Sequence, residues 1–351
     1  MTPVNPVTLV TPFAIVLALA AMACRNALPE APAARLVERA RMTMGSELRL
    51  SAWTTGEATA VSAFDQVFAE FDRLEGLMSV WRPQSDVQRL NEAAGVAPVV
   101  VSREVIEVLQ AAREAGDLTE GKFDITFGAL SDLWRFDHDQ DNRIPDPAAI
   151  VARLPLVDYR AVDVDARAGT AFVRKKGMRV HLGGIGKGYA VDRAAAMLRS
   201  RSVHDFMIQA GGDLYVGGQR GGRPWRVAIR DPRGAVDRLF AALDLSDGTF
   251  STSGDYERFF MEDGRRYHHL LDPDLGEPAR GCRSVTIVTG SALLADALST
   301  GVFVMGPEKG MALIERLEGV EGVIVTAKNA VLVSSGLQGR LTLVAPPTDA
   351  P

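Results

Sequence analysis

The segment His181-Leu-Gly-Gly-Ile-Gly-Lys-Gly-Tyr-Ala-Val-Asp192 carries the chain from an extended run, residues 179–182, into a helical one, residues 188–199, through a turn built of glycines. A strand that passes through such a turn into a helix leaves unpaired backbone N–H groups at the helix N-terminus, where a phosphate can be held. The segment lacks the four-residue spacer and the hydroxyl after lysine that define a P-loop. Gly184, Gly186 and Gly188 alternate in a way that does not match a dinucleotide fingerprint either. A glycine turn serves packing as readily as ligand binding. Lys187 favours the phosphate reading, because lysine is scarce here and occurs only at 122, 175, 176, 187, 309 and 328.

On either side of this turn the chain reads as short strands, 161–164 and 170–174 before it, 206–209 and 225–230 after it. Nearer the N-terminus, residues 42–53 alternate as a half-buried strand does. From Glu57 the spacing predicts a helix with Val61, Phe64, Val67, Phe68, Phe71 and Leu74 on one face. Ser102 is placed to cap a second helix carrying Val105, Val108, Leu109 and Ala112. Further on, 256–261 and 265–271 flank the tight-turn sequence Glu262-Asp263-Gly264. Residues 284–289 lead into helices near 291–303 and 307–317, and 323–326 with 331–334 make a last hairpin. Strands come in runs rather than in strict alternation with helices, so the expected class is α+β, with mixed and antiparallel strands and packed helices. No repeat or low-complexity linker interrupts residues 42–345, which read as a single domain.

Hydrophobic residues make up 47% of the 351 and charged residues 24%, the balance of an ordinary globular chain. A net charge of −5 supplies no basic stripe, which excludes a nucleic-acid surface. The first 23 residues differ from the rest. Residues 9–23 are nearly all apolar, short for a membrane span, and end in Ala21-Met22-Ala23 before Cys24, the pattern of an export signal. Small residues directly before a cysteine resemble a lipoprotein signal, in which Cys24 is acylated and holds the protein to the membrane on its periplasmic, extracytoplasmic side. Plain cleavage after Ala-x-Ala and an uncleaved anchor are the alternatives. Residues 24–41, rich in Ala, Pro and Arg, read as a tether. Cys24 and Cys282 are the only cysteines, so no disulfide framework holds the fold.

Two further clusters carry chemistry. In Ser291-Ala-Leu-Leu-Ala-Asp-Ala-Leu-Ser-Thr300, Asp296 and Thr300 stand four apart on one otherwise apolar helical face. A buried carboxylate needs a proton, a cation or hydrogen bonds, and a hard cation such as Mg²⁺ is one way to satisfy it; a capping role is another. In Tyr267-His-His-Leu-Leu-Asp-Pro273, strand alternation sends His268 and His269 to opposite faces, so one at most serves a given site. Asp137-x-Asp139-x-Asp141-Asn142-x-Ile144 imitates half of an EF-hand loop, but Ala148 stands at position twelve and Asn142 replaces the turn glycine. It reads as a solvated acidic loop.

Taken in order, these pieces resemble the ApbE-type FAD:protein FMN transferases over about Met44 to Leu317. The resemblance begins with Met44-Gly45-Ser46 and Met78-Ser-Val-Trp-Arg-Pro-Gln-Ser-Asp86 with Leu90-Asn91, then Gly121-Lys-Phe-Asp-Ile-Thr126 and Leu133-Trp-Arg-Phe136. After the glycine–lysine segment come Gly211-Gly-Asp213, Pro224-Trp-Arg-Val-Ala-Ile229, Ser251-Thr-Ser-Gly-Asp-Tyr256, His269-Leu-Leu-Asp-Pro273 and Ala295-Asp296. Each motif is weak alone, and the ordered series is specific. The resemblance implies an ApbE-like, T-fold-related architecture. It implies FAD contacts at Met44, Trp81, Lys122, Phe123, Asp124, His181, Lys187 and Leu271, with Trp81 where Tyr is common and His181 where Asp is usual. It implies Mg²⁺ at the carbonyl of Gly184 and the side chains of Asp296 and Thr300, with Ser299 where some members carry a second acid. The implied reaction moves FMN from FAD to a Ser or Thr hydroxyl of an acceptor protein, typically a membrane redox subunit with a short flavinylation motif, and releases AMP. His269 is the candidate for activating that hydroxyl, with Asp213 and Asp255 as alternatives, and Asp296 anchors the metal. FAD hydrolysis to FMN and AMP, or flavin binding without turnover, would use the same site.

Overall fold

A computed structural model describes residues 1–2 and 33–350. Residues 3–32, with the body of the export signal, Cys24 and the first half of the tether, lie outside the described residues. Residues 34–351 form one unit. Its sheet begins with a hairpin, β1 (Arg35–Thr43) and β2 (Ser46–Thr54), turning through Met44 and Gly45 at φ 47° and 73°. This corrects two expectations: residues 35–41 belong to a strand rather than to the tether, and the single strand 42–53 is two strands meeting at a turn. A two-residue turn with both positions left-handed matches strand twist and is usually marked by Asn-Gly or Gly-Gly. Met-Gly hides it.

Six more strands continue this sheet: β3 (Phe206–Ala210), β4 (Asp213–Gly217), β5 (Gly248–Gly254), β6 (Cys282–Thr289), β7 (Glu321–Thr326) and β8 (Val331–Val333). Each pairs antiparallel with its predecessor, so eight strands lie side by side in chain order. Both faces are covered, and the period of two divides the side chains between them. Leu214, Val216, Phe250, Val288, Val323 and Val325 pack against Trp225, Val227, Ile229, Phe240 and Leu243 of a small antiparallel sheet, Trp225–Arg230, Leu239–Leu245 and Thr342–Leu343.

Their neighbours face the helices α1 (Glu57–Met78), α2 (Asp86–Glu92), α3 (Arg103–Leu118), α4 (Pro147–Arg153), α5 (Gly186–Ser200), α6 (Ala292–Met305) and α7 (Pro307–Arg316). Ile208 and Tyr215 join the core that α1 and α5 build with Phe64, Phe71, Val191 and Leu198, and Val285, Ile287 and Ile324 join that of α6 with Leu298, Val302 and Phe303. Each such fully buried side chain contributes about 1.5–3 kcal/mol. The class is α+β. No helix among the described residues is long and apolar enough to cross a membrane.

The run 179–182, expected as a strand, makes a single parallel bridge from Arg179 to Phe127. The reason is a side chain that stands in for a neighbouring strand: Asn91 accepts the N–H of Val180 at 2.7 Å and donates to its carbonyl at 2.9 Å. Between β5 and β6 the expected hairpin is present but shorter, Phe259–Glu262 with Arg265–His268, turning at Asp263 and Gly264. Its Phe260 and Tyr267 stack 5.2 Å apart and extend to Phe136 and Trp134, each at 5.9 Å, which pins the hairpin to the loop after Ser131.

Candidate functional site

Helices α5 and α6 cross at Gly188. A Cβ there would stand 2.3 Å from the carbonyl oxygen of Ala292 and 2.7 Å from Cβ of Asp296, so only glycine allows the approach. The crossing is fastened from both sides. Asp192 accepts the N–H groups of Ala292 and Leu293 at the start of α6, at 2.8 and 3.0 Å, and Asp296 accepts the N–H of Gly188 at 2.9 Å. Lys187 Nζ consequently lies 4.0 Å from Asp296 and 3.1 Å from Asp213 on β4. Burial opposes the ammonium charge, but Asp213 and Asp296 outweigh it and hold the lysine above its ordinary pKa. The Asp296 carboxyl is pushed up to about 7 by burial and then by the charge of Asp213, against the pull of Lys187 and the Gly188 N–H. Two carboxylates around one ammonium make a setting that a divalent cation relieves.

A chain of hydroxyls backs this group. Ser251 donates to Asp213, and Ser253 Oγ lies 2.8 Å from Ser299 Oγ and 3.1 Å from Thr300 Oγ1. Gly184 adjoins Thr300, for a Cβ added there would stand 3.5 Å from Oγ1.

In front of these residues the cavity has two lobes. The carboxylate lobe, about 330 Å³, is lined by Phe123, Gly184, Asp213, His269, Leu271, Asp296 and Thr300 among others. The tryptophan lobe, about 470 Å³, is lined by Met44, Met78, Trp81, Arg82 and His138 among others. Gly45, Phe136, Asp137, His181, Gly183, Lys187 and Arg258 border both. Trp81 is 51% exposed and meets His138 edge-on, ring centroids 4.5 Å apart. His181 and His269 are held in the neutral form. His181 is pushed down to about 4 by burial, with Arg258 and Lys187 adding and Asp137 opposing, and its Nδ1 accepts the N–H of Gly183 at 3.1 Å. His269 is pushed down to about 3 by burial and by Arg258, and its Nδ1 lies 3.3 Å from the carbonyl oxygen of Arg258. That carbonyl can only accept, so the proton sits on Nδ1 and Nε2 carries the free lone pair.

Three of the expected residues do not reach the cavity. Lys122 is drawn to Asp272 and Asp274, at 2.7 and 2.8 Å, and straps the bend after the histidines. Asp124 is buried and accepts from the N–H groups of Thr126 and Tyr159 at 2.7 and 2.9 Å. Ser299 is fully buried behind the wall and donates to the Asp296 carbonyl at 2.9 Å. Of the alternative bases, Asp255 is locked in a paired contact with Arg233 at 2.6 and 2.7 Å away from the cavity, whereas Asp213 lines it. The other histidine, His268, is buried and bonds the carbonyl of Ala279. No group of three or more His, Cys, Asp or Glu gathers as a metal site among the described residues. Any metal here would have at most the two carboxylates Asp213 and Asp296 beside neutral oxygens.

The profile of the ApbE family matches residues 44–324. The chain belongs to the ApbE family. It is 34% identical over 302 residues to a FAD:protein FMN transferase of Klebsiella pneumoniae, spanning 86% of this chain and 92% of the relative. It is 32% identical over 326 residues to that of Treponema pallidum, spanning 88% and 90%. The crystal structure of the ApbE protein of Thermotoga maritima is similar at a TM-score of 0.81 and 33% identity, over 87% of this chain and 99% of its own. The flavin transferase ApbE of Vibrio cholerae is similar at 0.78 and 29%, over 88% and 99%.

On this ApbE fold, several lining residues were not foreseen from the sequence: Arg258, Asp137, His138, Ser253 and the aromatic wall of Phe127, Trp134 and Phe136. Arg258 is one arginine among many and sits inside an expected strand. Only its place two residues beyond the Gly254-Asp255-Tyr256 run marked it. The cavity offers two apolar lobes with cations at their junction, oxygen donors on one side and a neutral imidazole lone pair. That arrangement suits a ligand with two ring systems joined by a phosphate bridge.

Proposed function

We propose that this chain is a FAD:protein FMN transferase that moves FMN from FAD to a Ser or Thr hydroxyl of an acceptor protein, with Mg²⁺ as its metal and AMP as the second product. The observation that carries the reading is the meeting of Lys187, which borders both ring-sized lobes, with Asp296, Thr300 and His269 of the carboxylate lobe. Trp81 and Met44 give one lobe a surface on which a ring can stack, and Phe123 and Leu271 give the other an apolar wall. Lys187 faces the diphosphate. The Nε2 lone pair of His269 accepts the proton of the acceptor hydroxyl as its oxygen attacks the FMN phosphorus; the P–O bond to the AMP half breaks, and its electron pair leaves with AMP.

Asp296, Thr300 and the backbone of Gly184 are hard oxygen donors beside an excess of negative charge, which fits Mg²⁺. When bound, the cation neutralises the diphosphate and stabilises the departing AMP. We also propose that the enzyme is lipid-anchored at Cys24 on the extracytoplasmic side, on the strength of the apolar run ending in Ala-Met-Ala-Cys, and that it serves membrane redox subunits, as the family resemblance implies. Cys24→Ser should then accumulate unprocessed precursor; normal processing to a soluble form would overturn the anchor.

The test of function is AMP release from FAD with and without an acceptor domain, read beside flavin fluorescence of the acceptor in a denaturing gel. Acceptor-dependent AMP with covalent flavin is the expected result. AMP in water alone would make the enzyme a diphosphatase, and no AMP would make it a carrier.

A further inference from the structure

Arg258 borders both lobes and has no part in the chemistry above. It leaves β5 just ahead of the hairpin Phe259–Glu262/Arg265–His268, whose stacked aromatic rings fix it to the loop that carries Asp137. Its backbone is held as well, since its carbonyl oxygen accepts the N–H of His269 at 3.2 Å. The main chain therefore orients the histidine, and the side chain is left for another purpose. Nη1 pairs with Asp137 at the cavity wall, and Nη2 lies 3.8 Å from where a Cβ of Gly45 would stand, in the turn between β1 and β2. The guanidinium also acts across the junction, because its charge disfavours the protonated forms of both His181 and His269.

The contrast with Lys187 is informative. That ammonium is shared between two buried carboxylates, Asp213 and Asp296, so much of its charge is spoken for. Arg258 has one carboxylate partner, Asp137, and 42% of its side chain is exposed at the place where the lobes meet. A guanidinium is flat, permanently charged and able to give two parallel N–H bonds to a phosphate, which a lysine cannot. The exchange frees Asp137, whose side chain is 28% exposed, so the carboxylate left behind turns to water rather than into an apolar core.

We propose that Arg258 is a diphosphate-binding residue, turning from Asp137 to the bridging anion of a dinucleotide that lies across both lobes. The proposal deepens the transferase reading and rests on it. The test measures ADP, adenosine and FAD binding to the whole protein by calorimetry. Arg258→Gln should weaken ADP and FAD by roughly tenfold to a hundredfold and leave adenosine unchanged, the loss of one charge-assisted contact. Arg258→Lys should recover part of it. Asp137→Asn releases the guanidinium from its resting partner, so ADP should bind at least as tightly as to the wild type. Unchanged ADP affinity in Arg258→Gln, or a loss in Asp137→Asn as large as in Arg258→Gln, would overturn the proposal, the second by showing that the pair only braces the wall. Wild-type protein that binds neither FAD nor ADP would instead remove the transferase reading, and this proposal with it.

Discussion

The two walls of the cavity are built on different principles. The helix wall, from α5, α6, β4 and β5, is buried and crowded, and it holds Lys187, Asp213, Asp296 and Thr300 through a close crossing and a run of hydroxyls. The loop wall, from residues 131–146 and 255–271, is held by stacked aromatic rings and presents half-exposed groups, Arg258 among them. Charge sits deep in the first and shallow in the second. A deep charge gains most from low dielectric and must stay where it is; a shallow one can change partners. The comparison assigns chemistry to the rigid wall and grip to the adaptable one, with His269 as the exception that crosses over.

The largest effect expected is that of Asp296→Asn, which keeps shape but removes the charge a hard cation needs. FMN transfer to an acceptor domain should fall by about a thousandfold while FAD still binds. Near-wild-type transfer, or full activity in EDTA, would break the division at its strongest point. The metal dependence should also follow pH. Because Asp296 is pushed up to about 7, protons would compete below that value with the proposed Mg²⁺, so metal affinity should weaken as pH falls and strengthen as it rises through 7.

Next comes His269→Gln, expected to lower turnover by roughly a hundredfold with little change in FAD affinity. Since the ring is held neutral down to about 3 in the free protein, it is unprotonated there from pH 5 to 8, and kcat/KM at saturating Mg²⁺ should show no inflection near 6.5 from this group. Such an inflection, absent in the variant, would show that the imidazole is not shielded. Trp81→Ala, in the loop after α1 that meets the loop wall at His138, probes the grip of that side and should lose roughly 1–3 kcal/mol of FAD binding by calorimetry with transfer at saturating FAD retained. The smallest effect belongs to Lys122→Ala. Lys122 holds Asp272 and Asp274 rather than lining the cavity, so FAD affinity should stay within about twofold while stability drops by up to about 1 kcal/mol in urea. A large loss of FAD binding would restore it to the site.

The same division explains what was legible in the sequence. Lys187 stood out because lysine is scarce, and Asp296 because a carboxylate interrupts an apolar helical face, so the helix wall announced itself through residues in the wrong company. The α1 and α6 helices were visible in their periodicity, and the class followed from strands in runs. The loop wall gave no such signal. Arg258 and Asp137 lie 121 positions apart and meet only because Phe136 and Phe260 stack. The first hairpin was hidden by a turn that places Met44 in a left-handed conformation, a strained choice for a residue that also lines the cavity. Residues 179–182 misled in the opposite way: their extended pattern is real, but Asn91 serves as their neighbour where a strand was expected.

The Gly188 crossing has a consequence for motion. With a backbone oxygen 2.3 Å from where a Cβ would fall, α5 and α6 are already at backbone contact and leave no room to shift against each other. On the proposed reaction, any opening that admits an acceptor and releases AMP would then fall to the half-exposed loop wall. The amide proton of Gly188, closed beneath Asp296, would then be among the slowest in the molecule to exchange with solvent, and it would stay slow while the loops breathe.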